Sequence, residues 1–182
     1  MSLKRSIFTA LLAAMLCTLS PIAIPFGPLP LSLATFGVAL VALLGDRRAA
    51  LMSVLLYVGL GAVGLPVFAG FAGGAQVLVG PTGGYLFGYI PMTLAIGAVR
   101  GHRTGALPTA VALLTGLALC YGFGLGWYVL SADVPLGAAL AVSVVPFLLP
   151  DLVKLAAAAI LASVLRRRLG AILSHHENGE ES

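Results

Sequence analysis

Nearly all the positive charge in this chain falls in short clusters, and the runs between the first three are too long to be single helices across a membrane. Nine of the ten Lys and Arg residues fall in four places: Lys4 and Arg5, Arg47 and Arg48, Arg100 and Arg103, and Arg166 to Arg168. Residues 6–45 separate the first two clusters without one charged side chain. As one helix that run would measure about 60 Å, twice the ~30 Å hydrocarbon core of a bilayer. Residues 49–99 are equally free of charge and longer still. Each run has to fold back on itself, which returns the next basic cluster to the side it left.

Composition says what surrounds such a chain. Only 9 % of the 182 residues are charged and 60 % are hydrophobic, with a mean hydropathy of +1.09. A soluble domain carries roughly 25 % charge to cover its water-facing surface. This chain cannot do so and is expected to lie in lipid. Its length allows five to seven spans and leaves no room for a soluble domain. The net charge of +4 falls in clusters between apolar runs, the pattern of cytoplasmic loops, so no nucleic-acid partner is expected. Cys17 and Cys120 sit far apart in apolar runs and read as structural thiols, with no metal-ligand spacing.

The breakers place the spans. Pro21, Pro25, Pro28 and Pro30 end a first span near Ser6–Ile24 and open a second near Leu31–Leu44. That second span is short and is expected to be packed among neighbours. Gly64 to Gly84, with Pro66 and Pro81, separates a third span near Ala49–Val63 from a fourth near Thr82–Val99. A fifth runs near Ala106–Leu130. Val134 to Leu165 is again too long for one crossing, and Pro146 and Pro150 interrupt it. It holds either two spans or an interfacial segment leading into the sixth. An even number keeps all four basic clusters on one side, so six is favoured.

The expected fold is an all-α integral membrane protein: a bundle of six transmembrane helices with both termini cytoplasmic, multi-pass in the cell membrane. Residues 1–173 form one membrane domain and residues 174–182 a flexible polar tail, where His175 and His176 are solvated. Residues 1–24 also resemble a signal peptide, but no Ala-x-Ala site follows the apolar core and span 1 is expected to be retained.

Two features do not belong in a plain lipid-facing bundle. The first is the Gly- and Pro-rich stretch Gly59–Gly88, in which Phe68, Gln76, Thr82 and Tyr85 are interspersed. Irregular backbone at membrane depth is tolerated only where protein buries it or it lines a watery cavity. Glycines there also let backbone approach a ligand closely; a flexible loop with small-residue helix packing is the plainer alternative. Gly80–Gly84 is no phosphate loop, because no Lys follows. The second feature is Asp151 and Lys154 in an otherwise apolar helix. A central charge costs roughly 2.5–3.5 kcal/mol on insertion scales, so such residues mark functional sites by default. Their i, i+3 spacing puts them on one face, where they can pair. Lys154 lies about 18 Å and Asp151 about 22 Å from Arg166 along a helix, level with the Gly-rich stretch. A polar ligand site there is preferred over a structural ion pair. Catalysis is not expected: no second carboxylate, no His and no Gly-x-Ser-x-Gly accompanies Asp151. A channel is not expected either, because the inner half lacks a row of polar groups.

With these residues located, the chain resembles the BioY family, the substrate-binding (S) components of energy-coupling-factor (ECF) biotin transporters. The likeness spans nearly the whole chain. It is carried by Gly61 to Gly74, by Gly80-Pro81-Thr82-Gly83-Gly84-Tyr85, by Pro146 to Lys154, and by the Pro28-Leu-Pro30 turn. The resemblance implies biotin as transported substrate and no cofactor. It also implies partnership with a transmembrane coupling (T) protein and cytoplasmic ATPases, and a site including Asp151, Lys154, Tyr85, Gln76, Gly73, Gly74 and Phe68. One departure is Ser32 and Ala34, where the family commonly has Thr and Gln. The chemistry is compatible: Asp151 can accept the ureido N–H groups, Lys154 can meet an oxygen, and Tyr85 or Phe68 can cover the ring. Another vitamin, or a structural role without ligand, is the alternative. Ala10 and Ala14, four apart on the first helix, form a small-residue face where a partner helix can approach; the resemblance implies docking on the coupling protein there.

Overall fold

A computed structural model describes residues 3–27, 29–101 and 105–179, with the side chains of residue 167 and residues 169–179 excepted. The chain is mostly helical. In order it runs α1 (Leu3–Leu19), β1 (Ala23–Ile24), β2 (Leu31–Ser32), α2 (Ala34–Leu44), α3 (Arg47–Ala62), a 3-10 turn (Ala69–Phe71), α4 (Ala75–Val79), α5 (Gly83–Arg100), α6 (Ala106–Ala132), α7 (Leu136–Ser143) and α8 (Val145–Gly179).

The breakers act where the sequence put them, with two shifts. Expected to reach Ile24, the first helix stops at Leu19 because Pro21 has no N–H with which to extend it. The next residues form a small antiparallel hairpin instead, pairing Ala23 with Ser32 and Ile24 with Leu31. Leu31 and Ser32 thus lie in a strand, and the second helix starts only at Ala34. In the long last run, α7 ends at Ser143 and α8 begins two residues later. Pro146 falls in the first turn of α8, where its missing N–H is harmless, and Pro150 is carried inside that helix. The expected polar tail from 174 lies largely outside the described side chains, and Pro28 outside the described residues.

Nine of the eleven residues of α2 are buried, so this short helix is the axis of the bundle. α8, α5, α1 and α3 pack directly against it. Along the α5–α6 contact glycines take the place of side chains. A Cβ at Gly84 would overlap Trp127, one at Gly124 the Tyr85 ring, and one at Gly88 would crowd the Cys120 backbone. Tyr85 therefore has its position because Gly124 leaves room for it.

One end of the bundle collects the arginines. Asp46 begins α3 by accepting the Ala49 N–H at 2.7 Å on Oδ1, and its Oδ2 takes an ion pair from Arg5 of α1. Gly97 of α5 lies against Arg47. Arg100 from α5 and Arg166 from α8 both donate to the Leu43 carbonyl in the last turn of α2. The opposite end holds the hairpin, the 3-10 turn, α4 and α7.

Among the described residues, two helical segments are long and apolar enough to cross a membrane, Ala106–Ala132 and Val145–Arg166. Both turn large apolar side chains outward, among them Leu107, Leu130, Leu149 and Ile160. A water-soluble surface does not carry so continuous an apolar band, and the chain is a membrane protein.

Candidate functional site

Asp151 and Lys154 face inward from α8 toward the start of α2. Asp151 is 4 % exposed as a residue, and its carboxylate accepts three hydrogen bonds. Thr35 donates to Oδ1 at 3.0 Å, Lys154 Nζ to the same oxygen at 2.8 Å, and the Tyr121 phenol to Oδ2 at 2.8 Å. Lys154 Nζ also donates to the Ser32 carbonyl at 2.7 Å. Burying a pair of charges is tolerable only with such bonds around it. An ionised carboxylate has about four acceptor positions and an ammonium three donors. Among the described residues, Asp151 thus keeps one acceptor position and Lys154 one N–H uncommitted.

Both groups open onto a cavity of about 260 Å³. Its walls come from the hairpin and α2 (Leu31, Ser32, Thr35), from α5 (Tyr85, Tyr89), from α6 (Tyr121), and from α7 and α8 (Ser143, Phe147). Phe68, Ala72 and Val77 of the Gly-rich stretch close one side together with Tyr57. Small-molecule sites occupy roughly 300–1,000 Å³, so this one suits a compact ligand and not a lipid or peptide.

The aromatic walls are fixed by bonds of their own. Tyr57 shares a 2.5 Å hydrogen bond with Ser20 and meets the Phe68 ring edge-on at 5.5 Å. Phe68 can lie there because Gly61 has no Cβ to collide with its ring. Tyr85 donates to the Ser143 carbonyl at 2.7 Å and stands edge-on to Tyr121 at 6.3 Å. The Ser143 hydroxyl is buried on the cavity wall and has no partner among the described residues. A hydroxyl left so is costly unless something in the cavity bonds it.

Of the residues singled out from sequence, Asp151, Lys154, Tyr85 and Phe68 line this cavity together. Gly73, Gly74 and Gln76 do not. Gln76 is exposed and turns its amide back to the Gly73 carbonyl at 2.7 Å. Gly74 has φ +100°, and a Cβ at Gly73 would strike the Leu65 carbonyl; these two glycines shape the loop that sets Val77 against the cavity. Ala10 and Ala14 lie exposed on one face of α1, away from it. Thr35, Tyr121 and Ser143 were not anticipated. Uncharged polar residues in apolar helices carry no compositional signal, and only the register of α2 and α6 against α8 reveals them. Among the described residues no cluster of His, Cys, Asp and Glu could hold a metal.

Comparison with known proteins closes on one group. The BioY family profile matches residues 1–171. The chain is 42 % identical to the biotin transporter BioY of Thermotoga maritima, over 91 % of this chain and 95 % of that one. It is 37 % identical to a probable biotin transporter BioY of Pyrococcus horikoshii, over 91 % and 98 %. The crystal structure of the S-component for biotin from an ECF-type ABC transporter superposes with a TM-score of 0.82 at 25 % identity, covering 90 % of this chain and 91 % of that one. On the profile match and these identities over almost its full length, the chain belongs to the BioY family.

Proposed function

We propose that this chain is the substrate-capture subunit of a biotin uptake transporter, holding biotin in the cavity around Asp151 and Lys154 and passing it inward with an ATP-driven coupling module. The BioY family comprises transporter substrate-binding components, not enzymes, with biotin as transported substrate rather than cofactor. The observation that carries the reading is the uncommitted pair of valences on the cavity floor. A ureido group presents an N–H beside a carbonyl, and the open acceptor position of Asp151 and the open N–H of Lys154 complement that pair. The aromatic walls fit a compact thioether ring, and the Ser143 hydroxyl offers one more polar contact. Binding of labelled biotin to the purified protein tests this. One saturable site per chain, undisturbed by an excess of other vitamins, is expected. No binding, or displacement by a different vitamin, would sink the assignment.

The same reading takes the chain across the cell membrane six times, with both termini cytoplasmic and the cavity at the outer side. It is supported by the meeting of Arg5, Arg47, Arg100 and Arg166 around the α2–α3 turn, because basic loops stay cytoplasmic. Cysteines placed at Arg48 and Ser131, in a background lacking Cys17 and Cys120, should label from opposite faces of the cell; labelling of both from outside overturns the topology. Coupling to a transmembrane partner and its ATPases is assigned to the exposed Ala10–Ala14 face of α1. Tryptophan at both positions should leave biotin binding intact while ATP-driven uptake and co-purification with the partner fail together. Unchanged uptake would put the docking face elsewhere.

A further inference from the structure

At the arginine end, α6 and α8 stand apart and leave a second cavity of about 660 Å³. Leu113 and Leu114 of α6 and Leu152 and Leu155 of α8 wall it, and Arg100 and Arg166 line it at the end beside Leu43. Leu114 and Leu152 are exposed along its side, so the crevice opens laterally, toward whatever surrounds the bundle. Its α8 wall runs from Leu152 to Arg166, about 21 Å at the helical rise, against roughly 15 Å for one leaflet of the hydrocarbon core.

Arg100 is half-buried and Arg166 exposed. Both donate to the single Leu43 carbonyl, and neither takes part in an ion pair among the described residues. The Nε of Arg100 is buried with no hydrogen-bond partner there. Capping the C-terminus of α2 accounts for part of this, but a helix end supplies only about half an elementary charge against two cations. An anion beside them would complete the set, and an apolar chain of leaflet length would fill the rest.

We propose that the crevice seats one anionic phospholipid, its phosphate on Arg100 and Arg166 and an acyl chain between α6 and α8. The shape argues against a free anion, which would leave the apolar length empty. This site is separate from the cavity at Asp151 and does not depend on what that cavity binds.

Native mass spectrometry of the full chain, released from neutral detergent with graded phosphatidylglycerol or phosphatidylcholine, tests the proposal. One phosphatidylglycerol should be retained, with a preference over phosphatidylcholine of roughly tenfold or more, the scale of two near-surface cations on an anionic headgroup. The double variant Arg100→Gln/Arg166→Gln should lose the preference. Ala156→Trp fills the crevice from an exposed α8 position without touching a charge, and should lose the retained lipid of either kind. That variant decides the matter if the double variant does not fold. Equal retention of both lipids by the wild-type chain, or undiminished phosphatidylglycerol on Ala156→Trp, overturns the site. Competition by inorganic phosphate as effective as by the lipid would assign the arginines to a free anion and overturn it as well.

Discussion

The described residues form two ion pairs, one toward each end of the bundle. Arg5 and Asp46 join α1 to the α2–α3 turn with side chains 43 % and 44 % exposed. Lys154 and Asp151 lie on one helix with side chains 13 % and 6 % exposed. Asp46 spends its other oxygen on an N-cap, a structural duty. Asp151 gathers a threonine, a tyrosine and a lysine and still faces a cavity. An exposed pair is worth about 0–1 kcal/mol, because water already solvates both partners well. A buried pair is different: breaking it strands a charge and costs roughly 3–5 kcal/mol. The same two residue types, a carboxylate and a cation, therefore do unlike work at the two ends, and burial decides which.

The contrast can be broken by substitution. The largest effect is expected at Asp151→Asn and Lys154→Ala, each weakening biotin binding tenfold or more, about 1.4 kcal/mol or above. Each should also lower unfolding free energy by roughly 3–5 kcal/mol. Binding must be measured by titration on folded material; wild-type affinity in folded Asp151→Asn would make the pair structural only. Next come Tyr121→Phe and Thr35→Val, each removing a hydrogen bond to a buried carboxylate, worth about 1.5–3 kcal/mol. A thermal-stability loss below the noise in both would mean that the carboxylate is wetter than its burial indicates. At the other end, Asp46→Ala removes a cap as well as an ion pair and should cost about 1–2 kcal/mol, with biotin affinity unchanged. Arg5→Ala, which spares the cap, should cost under about 1 kcal/mol and fade further in salt. If Arg5→Ala matched Asp151→Asn in stability, the comparison between the two ends would fail.

Much of this was legible before any coordinates. The breaks at Pro21, Pro81 and Pro135, and the meeting of Arg5, Arg47, Arg100 and Arg166 at one end, follow from the length of a helix against the thickness of a membrane; Arg103 lies outside the described residues. Asp151 and Lys154 were conspicuous because an intramembrane charge is expensive. The hairpin was not legible, since two-residue strands are too short to show alternation. Nor were Thr35 and Tyr121, whose importance lies in which helix faces which. Gln76 is the opposite case: a polar residue in a Gly-rich stretch drew attention, and the structure turns its amide to the backbone three residues back.

The i, i+3 spacing of Asp151 and Lys154 also bears on how the protein is made. Charges on two different helices cannot neutralise each other until both helices have arrived. These two share a single helical turn, so their pairing needs nothing beyond α8 itself. As α8 leaves the translocon, the segment can partition into lipid nearly neutral, and the bonds from Thr35 and Tyr121 follow at assembly. In a glycosylation-mapping assay of α8 alone, Lys154→Ala should insert less well than the parent segment despite being less charged in count. Equal or better insertion would show that the pair forms only in the finished bundle. Where the pair does form within α8, the site's most expensive residues are ones whose cost during biogenesis is largely met by their own neighbours in sequence.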